Sequence, residues 1–159
     1  MDDRTDPPRP ADEGAARYDR DLYSWAVEQA ALLRAGKIAE ADALNIAEEL
    51  DDVGNEQYDK LESALRVIML HLLKWDHQAQ KRSRSWYGSI EVQREHVQKV
   101  LRKNPGLKPQ IAEAMADAYR LARIEAGVET DLGTDSFPQR CPYSWNEIVE
   151  RPIEWPPKD

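Results

Sequence analysis

The stretch from Leu61 to Trp75 limits this chain's fold more than any other, because its apolar side chains cover nearly the whole circumference of a helix. Leu61, Leu65, Ile68, Leu72 and Trp75 recur at the three-and-four spacing of one helical stripe, and Val67, Met69, Leu70 and Leu73 fill the remaining sides. A helix apolar all round is stable in water only when other elements enclose it. The flanking sequence supplies those elements. Leu22, Trp25, Ala26, Gln29, Leu32 and Leu33 share a stripe that Gly36 should end as a left-handed cap. A second segment, from about Glu40 to Val53, carries Ala43, Ile46, Ala47, Leu50 and Val53 on one face. Gly54 should break or kink it, with Asn55 capping the central helix that runs to about Lys81. A fourth helix follows the turn Lys81-Arg82-Ser83-Arg84-Ser85, with Trp86, Ile90, Val97 and Leu101 inward, and stops at Asn104-Pro105-Gly106. The fifth begins near Leu107 with Pro109 in its first turn, and Gly127 should end it. Its inward face is Leu107, Ile111, Met115, Ala118 and Ala122.

No β pattern of comparable strength competes, so the expected fold is all-α, a single-domain bundle of about five main helices. Residues 18–159 form this domain, with the bundle over 18–127 and an extended arm over 128–159. Ser144 and Glu147 have the spacing of a capping box, which predicts one short helix inside the arm. Residues 1–17 hold several prolines and almost no large apolar side chain, the composition of a disordered arm.

Composition then narrows the compartment. The 159 residues are 41% hydrophobic and 33% charged, a globular balance. No apolar run is long enough for a membrane span, and the N-terminus lacks the apolar segment of a secretory leader. Cys141 is the single cysteine, which rules out an internal disulfide and a cysteine-built zinc cage. These features predict a soluble, cytoplasmic protein with no membrane partner.

The net charge of −8 argues against a general nucleic-acid binder, whose affinity depends on neutralising phosphates. The charge is unevenly spread. Residues 1–60 carry 7 Lys and Arg against 16 Asp and Glu, whereas residues 66–103 carry 9 against 3. A basic block therefore sits in an acidic chain, and either its charges are neutralised internally or they offer a site to an anion. Lys74, Arg82, Arg84 and Arg94 have the donors for such a site, and Trp75 and Trp86 could wall it.

Helical projection also places polar side chains among the apolar ones. Arg94 falls inside the stripe of Trp86, Ile90, Val97 and Leu101, so it should be buried and should need a carboxylate. Glu49, at the edge of its own stripe, is the expected partner, with His71 near enough to join. Tyr119 and Arg123 flank the inward face of the fifth helix. Glu49, His71, Lys74, Arg94, Tyr119 and Arg123 thus form a candidate cluster. It reads either as a satisfied network that fixes helix register or as an anion pocket between helices.

The chemistry-bearing motifs are absent. None of His71, His77 and His96 has glutamate three residues earlier, and no His-x-x-x-His occurs, so no metal is expected. There is no glycine-rich phosphate loop, Ser-x-x-Lys or Gly-x-Ser-x-Gly element, so no cofactor is implied. Cys141 adjoins Pro142 without a neighbouring histidine, a poor setting for a catalytic thiol.

Tyr18-Asp19, Trp25, Gln29, Leu32-Leu33-Arg34, Glu48-Glu49, His71-Leu72-Leu73-Lys74-Trp75, Ser85-Trp86 and Arg94 follow one another in a particular order. They continue through Asn104-Pro105, Tyr119, Ala122-Arg123, Glu129-Thr130, Phe137-Pro138 and Cys141-Pro142-Tyr143. In this order and spacing, over about residues 17 to 156, the chain resembles the bacterial family called domain of unknown function 29. The resemblance implies an all-helical fold and carries no activity with it. Gly88-Ser89 departs from the pattern, where a bulkier residue and a threonine are expected, which loosens the start of the fourth helix. The preferred reading is a non-catalytic helical module that binds a protein partner or a second copy of itself. The alternative is a domain or enzyme that binds a small molecule or anion through the Glu/His/Arg cluster.

Overall fold

In a computed structural model, which describes residues 17–155, five α-helices carry the regular structure and no strand occurs among those residues. They are α1 (Leu22–Arg34), α2 (Ala43–His77), α3 (Arg84–Lys103), α4 (Ile111–Thr130) and α5 (Trp145–Glu150). The all-α expectation is met. The arm expected over residues 1–17 lies outside the described residues except for Arg17, whose guanidinium pairs with Glu28 at 2.7 Å.

Local chemistry explains most boundaries. Asp21 caps α1 by accepting from the Ser24 amide (3.0 Å), and Ser83 caps α3 by accepting from the Trp86 amide (3.2 Å). Ser144 and Glu147 form the predicted capping box at the start of α5. Gly36, at φ +72°, ends α1. The Lys37 amide bonds to the Leu32 carbonyl and the Gly36 amide to that of Leu33, the paired closure that a left-handed residue permits.

Four boundaries differ from the sequence reading. Gly54 does not break the chain: the expected second and third helices are one, α2, and Asn55 is interior to it. A single glycine costs a helix only about 1 kcal/mol, less than interrupting two strongly helical segments. That helix stops at His77 rather than near Lys81, and Pro109 lies in a 3-10 turn (Pro105–Gln110) before α4. Gly127 does not end α4, which continues to Thr130 and closes on Asp131 at φ +58°.

The described residues fall into two compact units, one ending at Gly54 and the other starting at Asn55. In the first, Trp25 and Gln29 are the buried residues of α1. The Trp25 indole N–H donates to Asp42 Oδ2 (3.2 Å), and the Asp42 amide donates to Gln29 Oε1 (2.8 Å). Leu50 and Val53, expected inward, are exposed. In the second unit the expected core is present: Leu61, Leu65, Ile68, Leu72 and Trp75 are all buried, as are Met69, Leu70 and Leu73. Ile90 and Val97 of α3 and Ala114, Ala118, Ala122 and Ala126 of α4 join them. Small alanines opposite large α2 side chains let the layers interlock.

The segment after α4 is a packed arm, not a loose tail. Phe137, Tyr143 and Ile148 are buried in the core. Asp76 Oδ2 accepts from the Tyr143 hydroxyl (2.9 Å) and from Arg151 Nη1 (2.9 Å), while Arg151 Nη2 reaches Asp76 Oδ1 (2.5 Å). Burial alone would raise the Asp76 carboxyl, but the Arg151 fork and the Tyr143 hydroxyl hold it below the usual aspartate range. A carboxylate depressed in the folded state adds stability that is complete above its unfolded pKa and lost as pH falls through the folded one. Urea denaturation should therefore show wild type exceeding Asp76→Asn at neutral pH, with the gap closing between about pH 5 and pH 2. A gap that stays constant down to pH 2 would mean the fork contributes nothing.

Candidate functional site

Polar side chains of α2 at four-residue spacing, Tyr58, Glu62 and Arg66, then Lys74 one further turn beyond Leu70, line the α4 side, and Gln78 just past the helix end continues the row. Tyr58 donates to Asp117 (2.9 Å), Arg66 pairs with Glu125, Lys74 pairs with Glu129 (2.5 Å), and Gln78 donates to the Thr130 carbonyl (3.2 Å). Partners rise in number on both helices together, so α2 and α4 run parallel along this seam. Lys74 is only 8% exposed, and its ammonium stands 4.6 Å from the centre of the Trp86 ring. A buried ammonium is costly alone, and here a carboxylate and an aromatic face answer it. Glu62 sits between the Tyr58 and Arg66 pairs with Oε1 buried and unpartnered, and burial raises its pKa.

His71 lies half-buried beside the seam. Its Nδ1 contacts the Val67 carbonyl at 2.8 Å, so the proton resides on that nitrogen. Burial lowers its pKa, and nearby Lys74 acts in the same direction, which favours the neutral ring.

Arg94 is buried, 6% exposed, and ion-paired as expected, but not to Glu49. Its Nη1 meets Glu91 (2.9 Å), Nε donates to the Ile148 carbonyl (2.8 Å) and Nη2 to that of Glu147 (3.2 Å). Glu49 instead accepts from the Tyr18 hydroxyl (2.8 Å), in the first unit. That bond, with some desolvation, pushes the Tyr18 pKa up to about 12. The pairing was mistaken because periodicity orders residues around a helix without saying which neighbour meets which side. Tyr119 donates to the Pro138 carbonyl (2.5 Å) and Arg123 Nε to that of Phe137 (3.0 Å), so both hold the arm. His71, Lys74, Arg94, Tyr119 and Arg123 lie in the second unit, and each bonds to the chain's own groups.

Of the donors expected to form an anion site, Lys74, Arg82 and Arg94 are engaged in the same way, whereas exposed Arg84 only stacks on an aromatic ring. Arg82 Nε donates to the Trp75 carbonyl (2.9 Å), and Arg84 lies over Trp155 at 5.3 Å from its ring centre. Cys141 is half-buried against Met69 and the Tyr143 carbonyl, and burial raises its thiol pKa. Among the described residues no group of three or more His, Cys, Asp or Glu side chains could hold a metal ion, and no helix is long and apolar enough to cross a membrane.

Two surfaces escaped the sequence reading. One is a groove of about 450 Å³ in the second unit, lined by Gln57 and Lys60 of α2 and by His96, Lys99, Lys103 and Asn104. The spacing 96, 99, 103 was visible in the sequence, although its pairing with Lys60 was not. The other is the exposed apolar surface of the first unit, which includes Tyr23, Leu44 and Val53.

The architecture is that of an all-helical domain whose candidate polar residues tie helices and arm together, leaving a basic groove and an apolar surface open. The chain belongs to the family described as domain of unknown function DUF29, whose model matches residues 17–153. No curated protein and no solved structure matches it.

Proposed function

We propose that this chain is a non-catalytic helical interaction module whose first unit docks onto a second copy of the chain. The observation that carries the reading is the burial pattern of residues 17–54, where Trp25 is the one buried large apolar side chain. Tyr23, Val27, Ile38, Leu44, Leu50 and Val53 are exposed, Leu44 by 86%. Exposed apolar surface of this density is characteristic of interaction sites. Residues 17–54 also carry nine carboxylates against four basic side chains, so the complementary surface should be basic and aromatic. The exposed end of the second unit, with Lys81, Arg84 and Trp155 (61% exposed), has that chemistry. Reciprocal docking of two copies would close a two-fold dimer without an open end. The engagement of His71, Lys74, Arg94, Tyr119 and Arg123 with the chain's own groups supports a binding role over an enzymatic one.

Sedimentation equilibrium provides the test. The wild-type chain should dimerise, and Leu44→Ser with Val53→Ser should yield a monomer of unchanged thermal stability, because both side chains are already in water. Arg84→Glu should weaken the dimer as well. A wild-type chain that stays monomeric at every concentration reached would refute the reading.

A further inference from the structure

The groove between α2 and α3 has no place in the docking reading, and its chemistry is distinctive. Lys60 projects from α2, while His96, Lys99 and Lys103 project from α3 at the spacing that keeps them on one face. No carboxylate lines the groove, although the chain as a whole carries −8. Its floor is apolar, made by buried Ala64 and half-buried Val100. One end is closed by Asn104, whose Nδ2 donates to the Val100 carbonyl (3.0 Å) and to Gln57 Oε1 (3.3 Å). Lys60 has one acidic neighbour, the exposed Glu56 at 2.8 Å, and among the described residues Lys99 and Lys103 form no ion pair.

A simpler explanation is that basic residues gather at the end of α3 to meet the negative pole of the helix. Lys103 and Arg102 occupy its last turn and fit that account. Lys99 precedes the last turn, and Lys60 lies within another helix, so the dipole leaves half of the basic set unexplained. Like charges facing one another across a groove repel, and an anion between them removes that repulsion.

We infer that this groove is a binding site for a small polyvalent oxyanion, a molecule carrying two or more linked phosphates. Lysine ammoniums are point charges on flexible stems, suited to phosphate oxygens approached from several sides. The volume is that of a small-molecule site. The Ala64–Val100 floor would accept the apolar part of an organic phosphate.

Calorimetric titration with tripolyphosphate in low salt tests the inference on the full chain. Wild type should bind one equivalent saturably, and Lys99→Glu with Lys103→Glu should weaken binding by about tenfold or more. Arg102→Glu alters the charge on the same helix outside the groove lining and should change affinity by less than about twofold. All three substituted side chains are exposed, so helicity by circular dichroism should be retained. Absence of saturable binding, or equal loss in Arg102→Glu, would overturn the site. Neither result depends on whether the chain dimerises.

Discussion

Replacing Arg94 with methionine should lower the unfolding free energy by about 3 kcal/mol, the cost of a lost charge-assisted bond and an unsatisfied buried carbonyl. Methionine keeps most of the side-chain volume, so the loss reports on hydrogen bonding more than on a cavity. The Ile148 carbonyl accepts from Arg94 Nε, and Ile148 itself is fully buried, so no water replaces the donor. The Glu147 carbonyl suffers less, because the Arg151 amide also reaches it at 3.4 Å. Glu91→Gln should cost under about 1 kcal/mol, since that carboxylate is 43% exposed and the pair is solvent-screened. The two variants separate the roles of Arg94: anchor of α5, or member of an ion pair. Hydrogen exchange should show Arg94→Met loosening residues 141–153 first. Equal destabilisation by both substitutions would show that the ion pair dominates.

Gly127→Ala should destabilise by about 3 kcal/mol, because the site has no room for a methyl group. A Cβ there would stand 2.5 Å from the Thr134 nitrogen and 2.8 Å from its Cα, so backbone and not a mobile side chain would have to move. The close approach belongs to the turn after α4, where Asp131 and Gly133 take positive φ and the Gly133 amide bonds back to the Gly127 carbonyl at 3.3 Å. Gly54→Ala should have the opposite sign. It lies in the interior of α2 with nothing within 4 Å of the position a Cβ would take. Alanine should stabilise that helix by about 0.5–1 kcal/mol. Chemical denaturation of both variants measures the pair directly, and a neutral Gly127→Ala would mean that the turn adjusts freely.

The same two glycines illustrate why periodicity misplaces helix ends. Both carry the same breaking signal in the sequence, yet both sit inside helices. For Gly54 the flanking helical preference outweighs a small penalty. For Gly127 the glycine makes room for the backbone at Thr134 in the turn after α4, and close backbone approach leaves no mark on hydrophobic spacing.

The amino-acid sequence by itself determined the all-helical class, the central position of Leu61–Trp75, the burial of Arg94 and the cap at Ser144. These follow from interactions within a few residues, or from one face needing to leave water, and both leave a periodic trace. Tertiary structure alone decided which groups meet. Arg94 bonds to α5 and Glu91 rather than Glu49, Asp76 holds Arg151, and Lys60 comes to face Lys99 and Lys103. Such meetings depend on where separate helices come to rest against one another, and that is settled by the packing of whole surfaces rather than by the spacing of residues along any one of them.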